Sequence, residues 1–235
     1  MEPMFRTSVV SSADRSVYDA GLRAHMQRVF QYMGGGLAIT GAVAFLVANT
    51  PLAAFIFGTP LKWVAMLAPF AFIFYMNFKM ASITASRAQT LFWCFCAAMG
   101  LSMASVFLVF TGASIARAFF ITAGTFGIMS LWGYTTKSDL SRFGSFLMMG
   151  VLGLFLAMLV NLFLGSSMMQ WIVSVLGVGI FTGLTAYDVQ RIKQTYAENW
   201  GAEANNKLAV LGALNLYLNF INAFQFLLNL MGNNR

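Results

Sequence analysis

Long, uninterrupted apolar runs dominate the chain, and each run is about as long as a helix needs to cross a bilayer. A spanning helix needs about 20 consecutive apolar residues, whereas membrane-barrel strands alternate apolar and polar residues over about 10. Because the runs are continuously apolar, they predict helices and not strands. They lie near residues 30–49, 53–77, 89–111, 114–134, 144–165, 169–190 and 208–231.

Composition supports a membrane protein over a soluble one. Of the 235 residues, 59% are hydrophobic and only 9% are charged. Soluble domains are about 45–50% apolar and about 25% charged, so this chain has too few charges to cover a soluble surface. We therefore predict an all-α membrane protein with seven transmembrane helices. The predicted division is an N-terminal tail over residues 1–28 and a transmembrane domain over residues 29–235.

Several functional classes are not expected. The net charge is +7, but the basic residues lie between apolar runs and form no basic face, so no nucleic-acid partner is predicted. His25 is the sole histidine and lies in the tail, which leaves no histidine-based metal site. Nucleotide-binding and hydrolase motifs are absent from the sequence. We expect neither an enzyme nor a cofactor.

The tail has two interpretations. Apolar residues recur at roughly helical spacing from Val17 to Met33. This spacing is typical of an amphipathic helix lying at the interface, and equally of an extension of the first span into the cytoplasm. No removable signal peptide is expected, because no apolar segment directly follows a short basic start.

The distribution of basic residues predicts orientation. Of the 14 Lys and Arg residues, eleven fall on the tail and on alternate connections that share its side, and three fall on the other side. Cytoplasmic segments carry the excess of Lys and Arg. The N-terminus is therefore predicted in the cytoplasm and, with seven spans, the C-terminus outside.

Some small residues lie at helix-packing spacing. Gly179 and Gly183 form a GxxxG pair, and Ala123 with Gly127 forms a second small-xxx-small pair. Such pairs let helix backbones approach closely within a membrane, although glycine is common in membrane helices.

Asp188 is the one acidic residue within an apolar run, at the predicted cytoplasmic end of span six. A carboxylate in a membrane helix costs about 2.5–3.5 kcal/mol at the bilayer centre and less near the interface. It persists when it is paired, when it lines water, or when it has a function. One interpretation is an interfacial Asp188 held by Arg191 three residues later. The other is a functional carboxylate.

Span seven carries a stripe of amide side chains. At 100° per residue the five amides fall within an arc of about 120°. Amides facing lipid would be costly, so the stripe should face protein or water, and span seven should lie inside the bundle. Polar contacts between helices and an ion pathway both remain open as explanations. The stripe consists of Asn215, Asn219, Asn222, Gln225 and Asn229.

Four ordered motifs resemble the Bax inhibitor-1 (transmembrane Bax inhibitor motif) family, and most closely its bacterial inner-membrane members. The similarity covers nearly the whole chain from about residue 28. The motifs are Gly112-Ala-Ser-Ile-Ala-Arg117, Gly133-Tyr-Thr-Thr-Lys137 with Asp139-Leu140, Gly183-Leu-Thr-Ala-Tyr-Asp188 with Arg191-Ile192-Lys193, and Leu216-Tyr-Leu-Asn-Phe-Ile-Asn222.

The resemblance implies a central seventh helix wrapped by the first six, and a pH-sensitive calcium leak across the bacterial inner membrane. Its sensor is a hydrogen-bonded pair of aspartates, one on span six and one on span seven. Asp188 matches the first, and Asn219 stands where the family has the second. Asn219 lies about 12 residues into span seven, which leaves Asn215 as a second possible partner for Asp188. The family's basic residue after span two corresponds to Lys79 or Arg87.

The replacement of an aspartate by Asn219 has a physical consequence. Two close carboxylates cannot both ionise cheaply, so such a pair shares a proton near neutrality. An Asp–Asn pair lacks this repulsion. We predict weaker calcium selectivity and a shifted or absent pH response, with calcium or other cations and the lipid bilayer as partners. The alternative is a non-conducting interaction protein that modulates an FtsH-type membrane protease through the tail.

Overall fold

A computed structural model describes residues 12–197 and 200–233 of the chain, with side chains from residue 18 onward. Seven of the helices in these residues are long and apolar enough to cross a membrane, which confirms the predicted seven-span, all-α class. The helices are α1 Ser12–Ala48, α2 Leu52–Phe57, α3 Leu61–Lys79, α4 Ala85–Val109, α5 Gly112–Thr135, α6 Ser141–Leu164, α7 Ser167–Thr195 and α8 Gly201–Met231.

The second span is shorter than predicted. The predicted run over 53–77 is divided into the short helix α2 and the spanning helix α3. Gly58 ends α2 and Pro60 caps the start of α3. Proline suits a helix start because it has no backbone N–H to donate. The spanning part is therefore Leu61–Lys79, and the first residues of the predicted run form a separate turn of helix.

Helix α1 is continuous through residue 28, where the sequence predicted a boundary between tail and bundle. Leu22 and Met26 are buried in the same core cluster as residues of the other spans. The described part of the tail is therefore an extension of the first span, and not a separate interfacial helix. Residues 1–11 of the predicted tail lie outside the described residues.

The helices differ strongly in burial. In the most apolar stretch of α8, 67% of residues are buried within the protein, against 11% in α6. Helix α8 packs closely against α7, α1, α5 and α4. The last span is thus the most enclosed of the seven. Complete wrapping by the first six spans stays a prediction.

The register between α7 and α8 places the start of α8 beyond the end of α7. Gly177 lies against Phe226, and Gly212 lies against Ile192. In this antiparallel register the last residue of α7 is level with about residue 209 of α8. The first two turns of α8 therefore project past α7. We call this end of the bundle the basic end, because the Lys79–Arg87 segment also lies there, and the other end the opposite end.

Candidate functional site

Asp188 of α7 and Asn219 of α8 are joined by a hydrogen bond. Asn219 Nδ2 donates to Asp188 Oδ2 at 2.6 Å. Only 8% of Asp188 and 6% of Asn219 is exposed. Asp188 lies near the end of α7, whereas Asn219 lies far from the start of α8. The two residues meet because α8 begins two turns beyond the end of α7. The structure thus brings together the two positions that the resemblance pairs.

Arg191 does not donate the hydrogen bond described for Asp188, which comes from Asn219. The Arg191 side chain is exposed, and its positive charge acts electrostatically on Asp188. A hydrogen bond to a charged acceptor contributes about 1.5–3 kcal/mol. The structure therefore favours a carboxylate held between helices over an interfacial carboxylate held by its own helix.

Helix α5 contacts α7 two residues from Asp188. An added Cβ on Gly133 would lie only 2.3 Å from the carbonyl oxygen of Ala186. This distance is too short for any side chain at residue 133, because the opposing atom is backbone. Gly133, from one of the family-like motifs, thus fixes the separation of α5 and α7 beside the Asp188–Asn219 pair.

The α5–α6 connection is tied to α7 by Gln190. Gln190 Oε1 accepts from the backbone of Leu140 at 2.9 Å, and its Nε2 donates to the carbonyl of Ser138 at 2.8 Å. In the same connection, hydrogen bonds from Ser141 hold the pKa of Asp139 below its ordinary value, so this exposed carboxylate is ionised at neutral pH. These contacts hold the basic end together around Asp188.

The predicted amide stripe divides into two parts. Asn219 faces Asp188, while Asn222, Gln225 and Asn229 line a cavity of about 580 Å³ between α8, α3 and α4. We call this space the amide cavity. It lies toward the opposite end, and Asn222 is less than one turn beyond Asn219. As predicted for a stripe that avoids lipid, Asn219 is buried and Asn222 and Gln225 are half-buried, whereas Asn229 is exposed.

Asn215 does not join the site. It is exposed on α8, about one turn nearer the basic end than Asn219. Asn219, and not Asn215, is the partner of Asp188. The choice between the two amides, open in the sequence, follows from the register of α8 on α7.

Lys79 and Arg87 are both exposed at the basic end, on either side of the α3–α4 connection. The hydrogen bond described for Asp188 comes from neither of them. A gating role for either residue stays a prediction.

A threonine pocket lies about one turn from the Asp188–Asn219 pair, and its residues were not predicted from the sequence. This pocket has a volume of about 120 Å³ and lies between α5, α7 and α8. Thr185 is one turn from Asp188. The available signal was the spacing, because α5 and α7 each contribute two threonines three residues apart. They are Thr122, Thr125, Thr182 and Thr185.

Tyr217 joins α8 to α1 and α4 next to the pair. Its hydroxyl is hydrogen-bonded to Thr40 Oγ1 at 2.6 Å, and Thr40 donates to the carbonyl of Cys96 at 2.9 Å. Tyr217 is fully buried. This contact closes the packing of α8 on the side of α1, two residues from Asn219.

The described residues contain no group of three or more His, Cys, Asp or Glu side chains that could hold a metal ion. A cation next to Asp188 would meet one carboxylate and neutral amide or hydroxyl oxygens. Such a set attracts a cation without forming a tight cage, because calcium sites normally use six to eight oxygen ligands.

A buried carboxylate that accepts a hydrogen bond from an amide, within a bundle of seven helices long and apolar enough to span a membrane, defines a multi-pass helical membrane protein with a buried acidic residue. The family model described as "Inhibitor of apoptosis-promoting Bax1" matches residues 22–235. The chain therefore belongs to the Bax inhibitor-1 family.

Bacterial relatives resemble the chain over almost its full length. A protein of Caulobacter vibrioides is 45% identical over 241 residues, covering 98% of this chain and 96% of the relative. Protein RP147 of Rickettsia prowazekii is 38% identical, with 98% of both chains covered. The inner membrane protein YbhL of Escherichia coli strain K12 is 41% identical, covering 92% of this chain and 94% of YbhL.

Proposed function

We propose that this protein is a cation leak channel of a bacterial inner membrane, with calcium among the ions that it conducts. The observation that carries the proposal is the buried Asp188–Asn219 pair, which lies within about one turn of the walls of two mainly apolar spaces that contain amide or hydroxyl side chains, the amide cavity and the threonine pocket. In the proposed orientation the basic end and the N-terminus face the cytoplasm, and the C-terminus lies outside.

Asp188 is the group proposed to attract the cation. A carboxylate inside a membrane bundle is expensive unless it is paired or functional, and one amide hydrogen bond satisfies only part of its acceptor capacity. Amide and hydroxyl oxygens on the opposite-end side can replace part of a cation's hydration shell as it approaches. The Asp188–Asn219 hydrogen bond is the proposed closure, because it joins α7 to α8 between the cavity and the basic end.

The amide at residue 219 sets the proposed difference from relatives that carry two aspartates. With one carboxylate, the site has one negative charge fewer for a divalent ion. It also lacks the repulsion that would make a close acidic pair share a proton near neutral pH. We therefore propose weaker selectivity for calcium over monovalent cations, and a pH response that is shifted or absent.

The test is calcium flux into liposomes that contain the purified full-length protein. Asp188→Asn removes the charge with little change of shape, and we expect flux to fall at least about tenfold, toward that of empty liposomes. Asp139→Asn is the matched control, since it removes an exposed carboxylate in the α5–α6 connection. The proposal is wrong if Asp188→Asn conducts like the wild type.

Asn219→Asp tests the role of the amide. A second carboxylate 2.6 Å from the first should make the pair share a proton, so that calcium flux becomes dependent on pH between about 6 and 8. The wild type should show a flatter profile over the same range. Identical pH profiles for the two proteins would contradict this part of the proposal.

A wild type that does not raise flux above empty liposomes would favour the alternative, a non-conducting modulator of an FtsH-type membrane protease. A truncation that tests binding through the tail must then stop before Leu22. Deletion to residue 28 would also remove Leu22 and Met26 from the core, and the variant would lose stability together with any binding.

A further inference from the structure

A second polar site lies at the basic end, away from the Asp188–Asn219 pair. Its pocket has a volume of about 260 Å³ and lies between α1, the end of α7 and the start of α8. His25 and Arg28 reach it from α1, Tyr196 from the segment after α7, and Asn205 from α8. The proposed conduction pathway uses none of these residues.

Two polar atoms in this pocket are buried without a partner among the described residues. His25 is only 4% exposed, and its Nε2 makes no hydrogen bond within the described structure. Asn205 Oδ1 is also without one, although the Nδ2 of the same side chain donates to the carbonyl of Ala197 at 2.9 Å. An unpaired buried polar atom costs about 1–3 kcal/mol, so two in one pocket point to a ligand that supplies their partners.

The rest of the pocket is suited to an anion. Arg28 lines it, and the Arg28 guanidinium donates to Asn206 of α8, which holds the charge at the pocket. Gly201, with φ of +77°, turns the chain into the first turn of α8, and Gly201 and Ala202 form one wall. A helix N-terminus carries partial positive charge and unpaired N–H groups, which together favour phosphate groups.

The acidic groups near the pocket that the structure describes leave room for an anion. Glu203 lies in the first turn of α8, but its carboxylate accepts the backbone N–H of Ala85 at the start of α4, at 2.6 Å. Asp19 is exposed on α1 and is not part of the pocket wall. The pocket therefore presents Arg28, an imidazole nitrogen and a helix N-terminus, together with the acceptor Asn205 Oδ1 and the side chain of Tyr196.

We propose that this pocket binds a phosphate group that has a hydroxyl group attached or close by. The phosphate oxygens accept from Arg28 and His25, and the hydroxyl donates to Asn205 Oδ1. Monohydrogen phosphate and the headgroup of phosphatidylglycerol share this chemistry. The first would reach the pocket from solution, and the second from the membrane surface.

The first arm of the test uses inorganic phosphate. Thermal unfolding of the purified full-length protein in detergent is followed as phosphate is added, against chloride at equal ionic strength. Phosphate should raise the unfolding temperature of the wild type. Arg28→Gln removes one charge-assisted contact, so about tenfold more phosphate should be needed for the same rise.

The second arm uses lipid. The protein is reconstituted in nanodiscs of phosphatidylcholine with or without phosphatidylglycerol, and the lipids that remain bound are counted by native mass spectrometry. Retention of phosphatidylglycerol by the wild type and its loss in Arg28→Gln would assign the site to a headgroup. A response to inorganic phosphate alone would assign it to a free anion.

Two further variants separate the site from general charge effects. His25→Phe keeps the ring next to Tyr196, whose centroid is 5.3 Å away, and removes both imidazole nitrogens, so it should also weaken the response. Arg23→Gln removes an exposed charge of the same helix that does not line the pocket, so it should respond like the wild type. Equal responses from all four proteins, or an equal loss in Arg23→Gln and Arg28→Gln, would overturn the proposal.

Discussion

The two halves of the amide face of α8 have the same residue type and different surroundings. Toward the basic end, Asn219 is sealed against Asp188, while Asn215, one turn before it, is exposed. Toward the opposite end, Asn222 and Gln225 line a cavity of about 580 Å³. An amide stripe thus shows which face avoids lipid, but the neighbouring helices decide whether that face is closed or open.

Helix spacing explains the difference. Helix α7 approaches α8 closely because Gly177 and Gly212 leave room for Phe226 and Ile192. On the other face the cavity separates α8 from α3, where Pro69 and Phe70 contribute to its wall. Close packing lets side chains satisfy one another, and wide spacing leaves them to whatever fills the cavity.

The largest effect is expected from Asn219→Leu in the sealed half. Leucine fills a similar volume but cannot donate, so Asp188 would lose the hydrogen bond that it accepts from α8. Losing the partner of a buried charged group should lower the free energy of unfolding by about 3 kcal/mol. Thermal or denaturant unfolding of the purified protein measures this change.

Asn215→Leu is the matched control, because residue 215 is one turn away on the same helix and is exposed. Its stability should stay within about 0.5 kcal/mol of the wild type. If both substitutions have equally small effects, the Asp188–Asn219 hydrogen bond does not stabilise the sealed half.

The next largest effect is expected from Gly133→Ala. The added methyl group would meet the backbone of α7 at Ala186, so α5 and α7 must separate. Overpacking of this kind costs about 1–3 kcal/mol, and here it would loosen the sealed half next to Asp188. Gly127→Ala on the same helix has open space around the new Cβ and should be neutral or slightly stabilising. Similar unfolding temperatures for the two variants would contradict the close α5–α7 contact.

The glycines of the two small-residue pairs show which part of the fold the sequence could not predict. Small-residue spacing singled out Gly127 and Gly179, yet an added Cβ on either meets nothing within 4 Å. Gly183 of the same GxxxG pair does pack, against Leu147 of α6. The spacing of small residues indicates that two helices can approach closely. It does not indicate which helix is the partner or at which residue the contact forms.

The spans themselves were predictable because hydropathy is a local property. Seven runs gave seven spanning helices, and the one clear error in their bounds came at Gly58 and Pro60, where turn residues interrupt an apolar segment. Helix ends also ran past the apolar runs. Polar residues such as Asn205 and Asn206 lie within α8, since helices continue beyond the hydrocarbon region when other helices support them.

The candidate site was predictable in its residues and less so in its surroundings. Asp188 stood out because it is charged within an apolar run, and its pairing with Asn219 followed from the family resemblance. The threonine pocket and the His25 pocket did not stand out, because threonine is unremarkable in a membrane helix and His25 lies in a polar segment. Both depend on the register between helices, which hydropathy does not encode.

The smallest effect on stability is expected from Gln225→Leu in the open half. Gln225 is half-buried on the wall of the amide cavity, so leucine should change the free energy of unfolding by less than about 0.5 kcal/mol. The same substitution makes the cavity more apolar and removes an oxygen that can replace ion hydration, so calcium flux into liposomes should fall severalfold. Stability thus separates the two halves, because Asn219→Leu should lower the free energy of unfolding and Gln225→Leu should leave it almost unchanged. A Gln225→Leu protein that loses stability as much as Asn219→Leu would show that the open half is also sealed, and the contrast between the two halves would be wrong.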